Sequence, residues 1–282
     1  MARRSQTRMP QPLKGFRGTL VLVGAGRMGG ALLTGWLARG LDPKRVVVLE
    51  PQPGAALKAL RRRGLVLNPK RPPQAVTALV IAVKPQVAAE TLPTLSPMLA
   101  PSTLVLSIMA GRTLAFLAAG MQRKAALVRA MPNTPAAIGR GITVAVAATG
   151  VGSRQRRLAT DLLAAAGAVE WVRDEALMDA VTAVSGSGPA YVFLLTEALA
   201  QAGVAAGLPE KLAARLARET VAGSGELLHR SREDAATLRH NVTSPGGTTA
   251  AALAVLMAEN GLPALLREAV DAGARRSREL AG

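Results

Sequence analysis

The sequence predicts an α/β protein with a doubly wound, mostly parallel sheet first and an all-helical domain after it. Three observations carry that expectation. Short aliphatic runs alternate with helical stretches up to about residue 172, a glycine-rich turn follows the first run directly, and beyond residues 173–176 no strand-like run occurs. At 282 residues the chain is long enough for two domains and a sizeable core. Hydrophobic residues make up 49% but aromatics only 2%. The core must therefore be Ala, Leu and Val, which suits close-packed helices and aliphatic strands.

The elements follow in order. TLVLVG from Thr19 reads as a buried strand, GRMGGALLTGWLARG as a helix with small residues on one face, and RVVVLE as a second strand. A helix runs to about Arg63, then come a short strand at Leu65–Leu67 and four more at 78–83, 102–108, 125–131 and 141–147. A helix over 153–166 and a strand over 168–172 complete this part. After Asp174, Ala/Leu-rich runs broken at GSGP, GLP, SPGG and NGLP predict five or six helices. In the one over 209–229, Leu212, Leu216, Thr220 and Leu227 share a face that suits either an internal core or a contact between subunits. Residues 1–17 are basic, lack the apolar stretch of a secretory signal, and are expected to form a flexible tail. The expected domains are then 18–173 for dinucleotide binding and 174–282 for the helical part.

Composition excludes several classes of function. There is no cysteine, hence no disulfide, thiolate nucleophile or Cys-ligated metal, and two histidines make no His-rich metal centre. No metal site is expected. No apolar run reaches the length that spans a bilayer, so no membrane role is expected, and a reducing cytoplasm fits. The net charge of +17 invites nucleic acid as a partner. Against that, the arginines are scattered, stacking aromatics are nearly absent, and Arg61–Arg63 sit at a helix end where cations suit the dipole. Attraction of anionic metabolites is the better account.

Gly24-Ala25-Gly26-Arg27-Met28-Gly29 is a G-x-G-x-x-G placed after the first strand and opening the first helix. Its glycines allow a tight turn, close approach of backbone to a pyrophosphate, and close helix–strand packing, while the helix start offers N–H groups. Glu50 ends the second strand, where a carboxylate accepts hydrogen bonds from an adenosine ribose and repels a 2′-phosphate, so it favours NADH over NADPH. This is the pattern of a Rossmann-type dinucleotide-binding domain. AVKPQ (82–86), SIMAG (107–111) and RAMPNTPA (129–136) end later strands on the rim where such sheets bind ligands. Pro132-Asn133-Thr134-Pro135 reads equally as a rigid surface turn or as part of a site.

VGAGRMGGALLTG, AVKPQ, SIMAG, RAMPNTPA, AVSGSGPAYVF and VTSPGGTTAA occur in one order. The set resembles the Δ1-pyrroline-5-carboxylate reductase family from about Thr19 to Leu280, and SGSGPAY together with SPGGTT is its specific part. The resemblance implies reduction of the cyclic imine of 1-pyrroline-5-carboxylate to L-proline with NADPH or NADH, the last step of proline biosynthesis. It implies a cofactor held by Val23, Gly24, Ala25, Gly26, Arg27, Met28, Gly29 and Glu50, by Ala82, Val83, Lys84 and Pro85, and by Ile108, Met109, Ala110 and Asn133. It also implies a homodimer through the helical domain, with dimers assembling into decamers in many members. Carried over by position, Asn241, Ser244, Gly246, Gly247, Thr248 and Thr249 bind substrate, with Ser244 and Thr249 catalytic.

The reactive substrate is a ring cation bearing a carboxylate. A lysine or arginine at the ring would bind the carboxylate but lower the pKa of the iminium, whereas N–H groups and hydroxyls avoid that conflict. In the same reading Thr249 hydrogen-bonds the ring nitrogen as it becomes an amine. The plainer reading of SPGG is a turn and helix start with Ser244 as N-cap. His240 stands where the family is commonly acidic, and Ser185–Tyr191 reads first as close packing. A related imine reductase or a 3-hydroxyacid dehydrogenase is the alternative, but the latter would need a catalytic lysine in the helical half, where Lys211 is alone.

Overall fold

The computed structural model describes residues 13–281, which divide into two compact units. One runs to Gly186 and takes up the chain again from Ala274; the other is Ser187–Gly273. Of the tail expected over 1–17, residues 1–12 lie outside the described residues. Leu13 is buried and Phe16 half-buried against the core, so two apolar side chains bring the fold's edge forward of residue 17.

The first unit is built on one sheet. Its strands are β1 (Thr19–Val23), β2 (Val46–Leu49), β3 (Val66–Leu67), β4 (Val76–Ile81), β5 (Leu104–Ser107), β6 (Ala126–Met131), β7 (Gly141–Ala147) and β8 (Gly167–Trp171). They lie in the order β3-β2-β1-β4-β5-β6-β7-β8. Every pairing is parallel except β6 with β7. The aliphatic runs are continuous because both faces are covered. Leu20, Leu22, Val80, Leu104 and Leu106 join the core on one side, and Val21, Val23, Leu79, Ile81 and Val105 the core on the other.

The covering helices are α1 (Arg27–Ala38), α2 (Ala55–Leu60), α3 (Ala88–Leu95), α4 (Leu114–Gly120) and α5 (Ser153–Leu163). Trp36 of α1 is wholly buried, and its Nε1–H donates to the carbonyl of Leu162 at 2.8 Å, tying α1 to α5. A short α6 (Leu177–Val181) follows, then a π-helical turn over Thr182–Gly186. Met178 of α6 packs with Val144 and Val146 of β7. That contact places α6 with the sheet, whereas the texture of the sequence changes just before it.

The second unit contains α7 (Gly188–Ala205), α8 (Glu210–Arg230), α9 (Ala235–Asn241), α10 (Thr248–Leu256) and the start of α11 (Leu262–Ala281). Gly203 and Ala213 bring α7 and α8 together, since a Cβ on Gly203 would lie 3.2 Å from that of Ala213. The small residues Ala213 and Ala217 are the buried ones of α8, while Leu212, Leu216 and Leu227 are exposed. Neither α7 nor α10, both apolar nearly all round, buries a residue in the single chain. Helices of that composition are stable when covered, and Leu212, Leu216 and Leu227 of α8 are likewise left uncovered. No helix among the described residues is long and apolar enough to cross a membrane.

Candidate active site

The glycine turn leaves β1 at buried Val23, and its three glycines have different reasons to be glycine. Gly24 has φ +87, and a Cβ there would lie 2.8 Å from the carbonyl oxygen of Ala82. A Cβ on Gly29 would collide with the carbonyl of Gly24 and come within 3.1 Å of Ala82 Cβ, so this glycine lets α1 approach the sheet. Gly26 has φ −64, and a Cβ there would meet nothing within 4 Å. The protein supplies no internal reason for that glycine. The space beside it is open, at the N-cap of a helix without a side-chain cap, which fits the pyrophosphate of a dinucleotide. Arg27 is exposed and Met28 rests on the core.

Glu50 follows β2 and is half-buried. One carboxylate oxygen accepts the N–H of Ala25 at 2.7 Å and the other the N–H of Gln52 at 3.0 Å. The acid predicted at the ribose position thus lies directly against the glycine turn.

Because β1, β4, β5 and β6 run parallel and side by side, the turns that end them share one edge of the sheet. The N–H of Ala82 donates to Val23 and that of Ile108 to Ile81, so the ladder continues into both turns. Lys84 is exposed and precedes the 3-10 turn Pro85–Val87. Arg112 donates from Nε and NH2 to the carbonyl of Pro85 at 3.3 and 3.1 Å, and its guanidinium stands 4.6 Å from the Phe116 ring. This staples the 82–86 turn to the one containing Ile108, Met109 and Ala110. Asn133 Oδ1 accepts the N–H of Ile142 at 3.0 Å, so that oxygen holds its own turn together.

Arg129 stands in mid-strand in β6 and is 4% exposed. Its NH1 meets Glu175 Oε1 at 2.9 Å, and the same carboxylate oxygen accepts the N–H of Leu114 at the start of α4 at 2.8 Å. The pair anchors the strand that delivers the Pro132–Pro135 turn. Gly186 lies against the end of the same strand, since a Cβ there would be 2.5 Å from Met131 Cε. Close packing is therefore what this glycine of the SGSGPAY run provides.

In the second unit, Ser244-Pro245-Gly246-Gly247 forms a turn with Gly246 at φ +69 and the N–H of Gly247 donating to Ser244 at 3.1 Å. Proline followed by a left-handed glycine is the pattern of a type II turn. The N-cap of α10 is Gly247, not Ser244, because the turn consumes one more step of chain before the helix starts. A Cβ on Gly247 would collide with Ser244 Oγ, so the serine hydroxyl lies over the glycine. Thr248 is exposed and Thr249 half-buried in the first turn of α10. Asn241 ends α9, its side-chain amide donating to Glu233 at 3.2 Å. Between α9 and α10 lies an open pocket of about 470 Å³ lined by Arg239, His240, Thr243, Ala250, Leu253, Ala254 and Met257.

Comparison with known proteins decides the family. Residues 175–280 match the model for pyrroline-5-carboxylate reductase dimerisation, and residues 19–111 match the model for NADP oxidoreductase, coenzyme F420-dependent. Pyrroline-5-carboxylate reductases of Synechocystis and Pseudomonas aeruginosa are 43% and 38% identical over 265 and 266 residues, covering 93% of this chain and 97% and 96% of theirs. The chain belongs to the pyrroline-5-carboxylate reductase family. Among solved structures, the family's enzyme from Coxiella burnetii superposes with a TM-score of 0.85 at 32% identity, covering 94% of this chain and 99% of that one. The Plasmodium falciparum reductase, solved with NADP bound, gives 0.78 at 30% identity and the same coverage. The NADP oxidoreductase match lies within the sheet unit, and the exposed leucine face lies within the family's dimerisation segment. Sequence reading did not single out Asn68, Arg112, Arg129 or Glu175. Arg129 was discoverable, because an arginine inside an apolar strand needs a buried partner.

Proposed function

We propose that this reductase converts 1-pyrroline-5-carboxylate to L-proline with NADPH or NADH, using the turn at 244–249 to hold the substrate. The observation that carries the assignment of residues is the Ser244–Gly247 turn. It brings two hydroxyls and the N–H groups of an uncapped helix start together with no ionisable residue from Val242 to Ala251. Gly246, Ser244 and Thr248 donate to the substrate carboxylate. Gly247, whose N–H closes the turn onto Ser244, borders the substrate as the residue without a side chain: a Cβ there would displace the serine hydroxyl from that arrangement. Asn241 borders the site at the end of α9. Thr249 accepts a hydrogen bond from the protonated ring nitrogen and retains it as that nitrogen becomes an amine.

Bound reduced nicotinamide supplies a hydride to the imine carbon, and the neutral amine so formed takes a proton from water. The residues that would hold the cofactor are those of the glycine turn with Glu50 and the stapled rim turns. Neutral donors leave the iminium's charge unopposed, which keeps the substrate a good hydride acceptor without a strong acid from the protein. Lys211, the lysine that a hydroxyacid dehydrogenase would require, is exposed in the first turn of α8.

The oligomer proposed is a homodimer through the helical unit, with dimers assembled into a decamer, and the compartment is the cytoplasm. Purified protein should oxidise NADH or NADPH only when pyrroline-5-carboxylate is present, with proline as product. Cofactor oxidation with a 3-hydroxyacid instead would transfer the assignment to that class. Light scattering gives the subunit number.

A further inference from the structure

We propose that Asn68 is the positioning residue that sets cofactor choice, because it clamps Glu50 at the adenosine-ribose position. The proposal rests on the reading of Glu50 as the ribose acceptor. β3 is only two residues long, and its backbone pairing with β2 ends at Val48 with Leu67. At Asn68 the chain turns away with φ +47, a conformation that Asn tolerates better than other residues with side chains. Pro69 comes next and has no N–H to offer a ladder.

The side chain of Asn68 takes over where the backbone stops. Its own N–H donates to Val48 at 2.9 Å. Oδ1 accepts the N–H of Glu50 at 2.8 Å, and Nδ2 donates to the carbonyl of Glu50 at 2.8 Å. Only one orientation of the amide satisfies both groups. Glu50 is thereby held at both backbone polar atoms, just beyond the end of its strand.

The carboxylate that follows from this backbone is held as well, by the N–H groups of Ala25 and Gln52. Each oxygen has a second lone pair, so two ribose hydroxyls can still be accepted. A 2′-phosphate would meet an anion whose backbone cannot yield. An acid on a loose strand end could swing aside with its backbone and make room for a 2′-phosphate. Asn68 closes that route by holding the backbone, and the carboxylate stays against the N–H groups of Ala25 and Gln52, which disfavours NADPH. Asn68 touches neither reacting atoms nor cofactor and acts through Glu50.

The test titrates NADH and NADPH separately into the full-length protein, its N68G and E50Q variants and the double variant, following nicotinamide fluorescence. Glycine keeps the positive φ while removing both side-chain bonds, so N68G isolates the clamp. N68G should weaken NADH about tenfold and leave NADPH unchanged or tighter, so that the NADPH-to-NADH ratio of dissociation constants falls by about tenfold. Amide hydrogen exchange at Glu50 should accelerate in the cofactor-free N68G protein, and N68G should add nothing in the E50Q background. General damage to the fold would weaken both cofactors alike and overturn the proposal. If E50Q lowers the ratio but N68G does not, Asn68 has no such role and the reading of Glu50 stands. If E50Q leaves the ratio unchanged, the reading of Glu50 falls and Asn68 falls with it.

Discussion

Single atoms decide what each glycine of the turn after β1 is for, and they separate two substitutions that look alike. Gly26→Ala places a methyl in open space at an ordinary φ. It should leave the melting temperature unchanged and weaken cofactor binding about tenfold or more, as read by fluorescence titration. Gly24→Ala forces a positive φ and a contact with Ala82, and should lower stability by about 1–3 kcal/mol in urea denaturation. In the other unit, Thr249 lies inside the first turn of α10, where alanine is well tolerated by the helix. Thr249→Ala should keep the fold while kcat/KM drops by about tenfold, the worth of one positioned hydrogen bond; an unchanged rate would remove Thr249 from the chemistry. Glu175→Ala leaves the Arg129 guanidinium buried without its anion and should cost about 3 kcal/mol on the same denaturation assay.

At the scale of elements, what matters is how each one ends. On its β3 side β2 loses its ladder pairing after Val48 and is completed by the side chain of Asn68, while α9 begins at an N-cap that titrates. Asp234 accepts the N–H of Thr237 at 2.7 Å, and that backbone bond, with a side-chain bond to the same residue, holds its carboxyl below the ordinary value of 3.8. A lowered folded value means that the cap's stabilisation is present above pH 3.8 and is lost as pH falls through the lower folded value. Thermal melts taken at falling pH should show the wild type losing stability there relative to Asp234→Asn, which caps without titrating. Parallel curves for the two proteins would show that the cap does not contribute. The effect is confined to an exposed helix start, but α9 leads directly into the Ser244–Gly247 turn proposed to hold the substrate.

For the whole molecule, the governing fact is the amount of apolar side chain that the single chain leaves uncovered. Phe193 is 67% exposed, Leu227 56% and Val255 74%, spread over α7, α8 and α10. Patches of this kind mark association, and the family's dimerisation model spans all three helices. Phe193→Asp should therefore shift the population toward monomer in light scattering and make the melting temperature lower and more dependent on protein concentration. A variant that stays fully dimeric would place Phe193 outside the interface. The same fact explains why periodicity left the leucine face of α8 undecided: a stripe is apolar whether its cover comes from the same chain or another. Only the burial of Ala213 and Ala217 in place of the leucines shows which side faces inward.

The sequence by itself determined the strands, the glycine turn, the helical second part and the family, because each is written in local signals such as aliphatic runs, glycine at fixed spacing and ordered motifs. Tertiary structure decided the rest. It showed that Gly26 alone among the three glycines lacks an internal reason to be glycine, that Gly247 and not Ser244 caps α10, and that Arg112 ties two rim turns. It also paired Arg129 with Glu175 and Asn68 with Glu50, residues 46 and 18 positions apart. The physical reason is common to all of these. Periodicity and propensity register what a residue prefers of its near neighbours, whereas a hydrogen bond between distant residues exists only once the sheet has brought its two ends together.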